Sequence, residues 1–296
     1  MTVTVLPTQR PLDPPLRAER EEALVDYLPV PVASTPLWRR ALDSSAWRQA
    51  ALLALLAVLW EIAARVADND LLFPSFGAAA RALWEGLSGG ELLLRAGISL
   101  KLLLQGYALG VVLALGLTAL ATSSRWGRDL LASLTAMFNP LPAIALLPLA
   151  LLWFGLGSGS LIFVLVHAVL WPLALAASAG FSSVPETLRM AGRNYGLTGP
   201  RYVAQILLPA ALPSILSGLR VGWAFAWRTL IAAELFFGAS SGQGGLGWYI
   251  FQNRNELQTD RVFAGLALVI LIGWLVERLV FSTIEKATVT RWGMQR

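Results

Sequence analysis

The chain has no cysteine, one histidine and two lysines among its 296 residues. Without thiols there is no disulfide, no cysteine-bound zinc and no iron–sulfur cluster. Neither lysine, Lys101 or Lys286, follows the glycine run of a P-loop, so the chain has no nucleotide-binding loop of that kind. Charge is scarce as well, at 14% of residues, against about 25% in an ordinary soluble domain. In its place stand 56% hydrophobic residues and a mean hydropathy of +0.62. That balance belongs to a protein dissolved in lipid. The net charge of +5 comes almost wholly from arginine. No basic face with interleaved aromatics accompanies it, which argues against a nucleic-acid partner.

Six apolar runs can cross a bilayer core, which takes about 20 residues of helix. They cover 50–67, 96–121, 130–157, 160–179, 208–237 and 262–284. The third contains Pro140, Pro142 and Pro148, so it should be kinked or broken, with its freed carbonyls satisfied by neighbours. A short amphipathic helix is expected over 76–87. Residues 1–47 hold seven prolines, six acids and five arginines but no apolar run. They read as a disordered cytoplasmic tail without the apolar core of a signal peptide. Residues 48–290 form the membrane domain, and 291–296 a short cytoplasmic end. With the N-terminus inside, the inner segments carry 14 Lys and Arg and the outer segments 4. Positive charge stays on the cytoplasmic side, so both termini are expected there.

Soluble-enzyme motifs find no setting here. The GQGGLG run at 242–247 fits a dinucleotide loop by spacing, but no strand precedes it. The GASSG run at 238–242 fits a nucleophile elbow around Ser240, again without strand and helix. An intramembrane serine hydrolase would need Ser240 or Ser158 beside His167. A histidine satisfied by a neighbouring helix is the plainer reading of that residue. Glu61, inside the first run, reads as a partnered structural acid. The pairs Gly106/Gly110 and Gly218/Gly222 read as points of close helix approach.

The stretch RMAGRNYGLTGPRYVAQILLPAALPSI, 189–215, interrupts the oily runs with arginines, prolines and a Gly-Thr-Gly-Pro turn. Gly196 is followed after nine residues by Ile206, Leu208 and Pro209, and preceded after three by Met190, Ala191 and Gly192. Pro185 suits a first helical turn, Gly196 a left-handed helix end and Pro200 a restart. Pro209 and Pro213 are expected to open the next span. Two short helices around a glycine turn would make a compact cytoplasmic knob.

This spacing resembles the EAA motif of permease subunits of binding-protein-dependent ABC importers. Met190 stands where that motif has its acid, and Gly192 where it has its second alanine. The runs FPSFGAAARALWEGL, SLKLLLQGYALG, NPLPAIALLPLALLWFGLG, GGLGWYIF and VFAGLALVILIGWLVERLV extend the likeness from about 50 to 290. Together they are similar to the nitrate, sulfonate and taurine class. The resemblance implies an all-α, six-helix type I importer transmembrane domain in the cytoplasmic (inner) membrane. It implies a homodimer of permeases, two cytoplasmic ATPases that use ATP, and an external solute-binding protein. The chain itself would be no enzyme and would hold no cofactor or metal. It assigns ATPase coupling to Glu186, Arg189, Met190, Ala191, Gly192, Arg193, Tyr195, Gly196, Pro200, Ile206, Leu208 and Pro209. A six-span ion-coupled carrier is the rival reading, and would need no such knob.

On the fifth run Arg220, Trp223, Trp227 and Glu234 share about 60° of arc at about 100° per residue. Arg228 lies about 100° away from them. Ionisable groups inside a span usually face the bundle interior or a water-filled path. Two readings follow. In one the stripe lines the translocation path, Arg220 toward the inner mouth and Glu234 toward the outer, with Arg228 meeting an anion. In the other the charges pair within the bundle and fix its packing.

Overall fold

The computed structural model describes residues 45–237 and 244–291. Among them all regular structure is helical, and the chain falls into two compact units, Met1–Ala54 and Leu55–Arg296. Of the first unit only residues 45–54 are described, and they are helix. The tail expected over 1–47 therefore lies almost wholly outside the described residues. So do Ser240 and the first two positions of the GQGGLG run.

Five helices are long and apolar enough to cross a membrane. They are α1 (Ser45–Ala67), α3 (Glu91–Ser123), α6 (Ser158–Ser182), the helix whose main part is α9 (Leu208–Phe237), and the last, which begins as α11 (Thr259–Leu275). Between α3 and α6 lie α4 (Arg125–Phe138) and a 3-10 turn, Ala143–Leu146, running into α5 (Leu147–Phe154). These two arms meet at 87° and make the sixth, broken span. Pro140 and Pro142 are the cause, since neither can donate to the preceding turn.

The α3 sequence explains its own packing. Its buried residues are Leu92, Ala96, Ser99, Leu103, Gly106, Gly110, Ala114, Thr118 and Ala121, which recur every three or four positions along one stripe. That stripe packs on α6, which packs in turn on α9. A Cβ on Gly106 would lie 2.5 Å from the Leu165 Cβ, and one on Gly110 2.8 Å from the Val169 Cβ. Without a hydrophobic drive between helices in lipid, such close approach is what holds them together. Gly218 likewise faces the Ala176 Cβ, at 2.7 Å. Helix α6 is the hub: half of its apolar window is buried, against 6% for α1.

The amphipathic helix expected over 76–87 is α2, Phe76–Ser88. The Ser75 hydroxyl caps it, accepting from the Ala78 N–H at 3.1 Å. Glu61 is partnered, accepting from Arg65 at 3.0 Å and from the Gly77 N–H at 3.3 Å. Trp60 packs its ring 5.3 Å from that of Phe263, joining the first span to the last.

The fifth span departs from expectation at its start. Helix begins at α8 (Gly199–Tyr202), widens through a π-helical stretch, Val203–Leu207, and continues into α9 without a stop. Pro209 and Pro213 therefore sit within a running helix and do not open it. The wide turn explains this: the Leu208 N–H reaches back to Val203, and the looser register accommodates the bond that Pro209 cannot make. The last helix carries similar π stretches, Val276–Phe281 and Lys286–Thr290, around α12 (Ser282–Glu285).

Candidate functional site

The interrupting segment folds as a knob. Helix α7, Glu186–Asn194, starts after Pro185 and is capped by Tyr195. Gly196 follows with φ +73. The Gly196 N–H donates to the Arg193 carbonyl at 2.9 Å and the Leu197 N–H to the Gly192 carbonyl at 3.1 Å. Those two bonds around a left-handed residue are a Schellman stop, which any side chain with a Cβ would strain.

Gly192 stands where the motif has alanine, and its surroundings explain the replacement. A Cβ there would lie 2.9 Å from both the Ile206 Cγ1 and the Tyr202 Cε2. The glycine lets α7 lie down on the helix that follows, and Ile206 is the residue it lies on. Arg189 fastens the other side: its guanidinium donates to the carbonyls of Phe181, at 2.6 Å, and Val184, at 3.2 Å. A cation thus serves the open C-terminal end of α6. Glu186, Ala191 and Arg193 face outward, and so do Met190, 49% exposed, and Tyr195, 85% exposed. Leu208 is also exposed, near the start of α9. The knob therefore has a fixed backbone and an outward face with two large apolar side chains.

The stripe on the fifth span has its own geometry. Arg220 pairs with Glu277 at 3.0 Å and Glu285 at 2.8 Å, tying α9 to the last helix. Trp223 is buried, edge-on to Tyr107 at 5.5 Å, and the Tyr107 hydroxyl donates to the Leu219 carbonyl. Trp227, also buried, donates to the Val269 carbonyl at 3.2 Å. Glu234 is 4% exposed. It accepts from the Ser99 hydroxyl, 2.8 Å from both carboxylate oxygens, and from the Gly247 N–H at 2.8 Å. Ser99 in turn accepts from the Leu246 N–H at 2.9 Å. The Glu234 carboxyl therefore sits on the first turn of α10 (Leu246–Asn255), where orphan N–H groups point outward from the helix.

Within this chain Arg220, Trp227 and Glu234 have polar partners, as the packing reading expects, while Trp223 packs on Tyr107 with its indole N–H unpartnered. Arg228 stands apart on an exposed face, its guanidinium 4.9 Å from the Phe225 ring centre.

The glycines of the GQGGLG run acquire a reason here. A Cβ on Gly245 would collide with Glu234 and Ser99, and one on Gly247 would lie 2.5 Å from the Ile231 carbonyl. Gly245 and Gly247 let the backbone close over the Glu234 carboxyl. His167 is likewise engaged: its Nδ1 accepts from the Trp171 indole at 3.0 Å, and its Nε2 lies 3.3 Å from the Leu141 carbonyl. With Nδ1 accepting, Nε2 carries the proton and donates. Among the described residues no serine reaches this imidazole, so no nucleophile is activated there.

Sequence reasoning missed Ser99, Glu277 and Glu285 as partners of the two stripe charges. Ser99 was within reach, as the polar member of the α3 stripe between Ala96 and Leu103. The glutamates were not, because their distance along the chain from Arg220 says nothing about contact.

Comparison with known proteins joins these features. Residues 106–282 match the family model described as binding-protein-dependent transport system inner membrane component. A Methanocaldococcus jannaschii protein named as an ABC transporter permease is 33% identical over 76% of this chain and 85% of its own length. An Escherichia coli K12 permease named for aliphatic sulfonates transport is 32% identical over 75% of this chain and 83% of its own. The taurine transport system permease of the same organism is 37% identical over 51% of this chain and 53% of its own. The matched region runs from within the second span into the last, knob included, and the chain belongs to the binding-protein-dependent transport system inner membrane components, transport permeases and not enzymes.

Proposed function

We propose that this permease works as a homodimer, with two ATPases beneath the knobs and a solute-binding protein on the opposite face. Both termini then lie in the cytoplasm, as the arginine count favours. The knob 186–200 docks in a groove of the ATPase, presenting Met190 and Tyr195. ATP-driven closure of the ATPases moves it, and the Gly192–Ile206 contact passes the motion into the fifth span. ATP is bound by the partners. The solute is a small anion or zwitterion of the sulfonate, taurine or nitrate kind, in keeping with the relatives' names and with the resemblance of the sequence.

One observation supports the coupling most: the Schellman stop at Gly196 and the close contact at Gly192 make the knob rigid relative to α9. A rigid lever transmits movement, whereas a loose loop absorbs it. The test is uptake in liposomes holding the chain with its ATPase, with binding protein supplied outside. The solute panel is taurine, alkanesulfonates, nitrate, bicarbonate and thiamine-precursor pyrimidines. Uptake should need ATP, and Gly196→Val should leave ATP hydrolysis running while uptake falls at least about tenfold, since φ > 0 is a genuine outlier for a β-branched residue. ATP-independent uptake by the chain alone would instead establish an ion-coupled carrier. Coupled transport in the Gly196 variant would remove the lever.

A further inference from the structure

The break in the third span opens beside a cavity of about 510 Å³. Its walls are the broken segment around Asn139, the His167–Trp171 face of α6, and Ser217, Phe225 and Thr229 of α9. A pocket of this size suits a small molecule, for which about 300–1,000 Å³ is usual. We propose that the solute crosses this chain through that cavity, with Asn139, Ser217 and Thr229 as the polar groups it meets. The proposal rests on the importer reading above and places the path away from the Arg220–Glu234 stripe.

Three observations converge on it. The first is depth. His167 is the tenth residue of the 25-residue α6 and faces the Leu141 carbonyl. At about 1.5 Å per residue, the break lies roughly 14 Å inside that helix. Non-helical backbone at such depth is tolerated only when buried in protein or lining water. Asn139, Pro140 and Pro142 are exposed and so are not buried in this chain; a water-filled cavity is the surrounding that would satisfy them.

The second is the state of the polar groups. Asn139, Ser217 and Thr229 make no side-chain hydrogen bond among the described residues, although all three line the cavity. An amide or hydroxyl left unpaired in hydrocarbon costs several kcal/mol. All three line the cavity, where water or solute can supply the missing partners.

The third is charge. No carboxylate lines the cavity. Arg228, next to Thr229 on the exposed face, forms no ion pair among the described residues and lies over the Phe225 ring. Arg220 is turned away and ion-paired with Glu277 and Glu285, and the Glu234 carboxyl is hydrogen-bonded to Ser99 and Gly247. A solute therefore meets walls without a carboxylate, and Arg228, which does not itself line the cavity, stands against Phe225, which does. That favours a small oxyanion head group without holding it tightly, as passage requires.

The native sequence has no cysteine, so single cysteines report position directly. Asn139→Cys, Ser217→Cys and Thr229→Cys are placed in the chain assembled with its ATPase and binding protein in liposomes. The probes are membrane-impermeant methanethiosulfonates, one anionic and one cationic. Controls are Leu104→Cys and Ile270→Cys, whose side chains face outward from the bundle, and Ala226→Cys, which is fully packed. The anionic probe should label the three cavity positions at least about tenfold faster than any control, as water access demands. It should outpace the cationic probe at Thr229→Cys, and Arg228→Gln should remove that advantage. Anionic labelling at Ser217→Cys should also stop uptake. Labelling no faster than the controls, with ATP-driven uptake intact, overturns the placement alone. Labelling without ATP-driven uptake of any panel solute overturns the importer reading, and the proposal with it.

Discussion

Glu234→Ala tests whether the buried carboxylate is a structural clasp. The wild-type group is 4% exposed and takes the Ser99 hydroxyl and the Gly247 N–H, each at 2.8 Å. A hydrogen bond to a charged group is worth about 1.5–3 kcal/mol, and an orphaned buried donor costs about 1–3 kcal/mol. These figures overlap in what they count, so the expected loss is about 3 kcal/mol. Amide exchange at Leu246 and Gly247 should then speed by roughly a hundredfold, because local opening follows the same free energy. The detergent-purified protein should melt about 6–12 °C lower. Ser99→Ala should cost less, since it leaves the Gly247 bond in place. The double variant should show a coupling of at least about 1 kcal/mol, as expected of groups in one network. Glu234→Gln should fall between wild type and alanine: the amide keeps one acceptor but sets an NH2 against existing donors. Unchanged exchange at Leu246 and Gly247 in Glu234→Ala, with additive single-site effects, would refute the clasp. Normal exchange with lost transport would instead return the carboxylate to the permeation path.

Two further substitutions test the close contacts. Gly192→Val places a branched side chain 2.9 Å from Tyr202 and Ile206. It should lift α7 off the following helix, leaving the spans folded and ATP hydrolysis active while uptake falls at least about tenfold; normal coupling would mean that this contact transmits nothing. Gly110→Leu drives a side chain against Val169, whose Cβ stands 2.8 Å from the added carbon. Overpacking costs about 1–3 kcal/mol or more, so less folded protein should reach the membrane; Gly116→Leu, with open space at its Cβ, should be tolerated.

How far the sequence could be read depends on which interactions are local. The spans were legible because a bilayer imposes length and apolarity on each helix separately. The left-handed stop at Gly196 was legible in kind, since it is set by residues within one turn. The break in the third span announced itself through Pro140 and Pro142. The start of the fifth did not, because prolines were read as the opening of a helix. Proline forbids its own N–H bond, but a wider turn just before it lets the helix run on. The stripe on α9 shows the deeper limit. Periodicity correctly placed Arg220, Trp223, Trp227 and Glu234 on one face, but it cannot tell a face turned to water from one turned to protein. That distinction is made by Ser99 and Gly247 for the glutamate and by Glu277 and Glu285 for the arginine. Each is brought in by another helix, so its contact is a property of packing and not of spacing. The exposed face with Ser217, Phe225 and Arg228 carries weaker sequence signals than the charged stripe. In a membrane protein the ionisable groups on a span can be the ones most fully partnered, because lipid penalises an unpaired charge more than any other group. A route for a passing solute is then to be sought where polar groups are left unpaired, not where charge is densest.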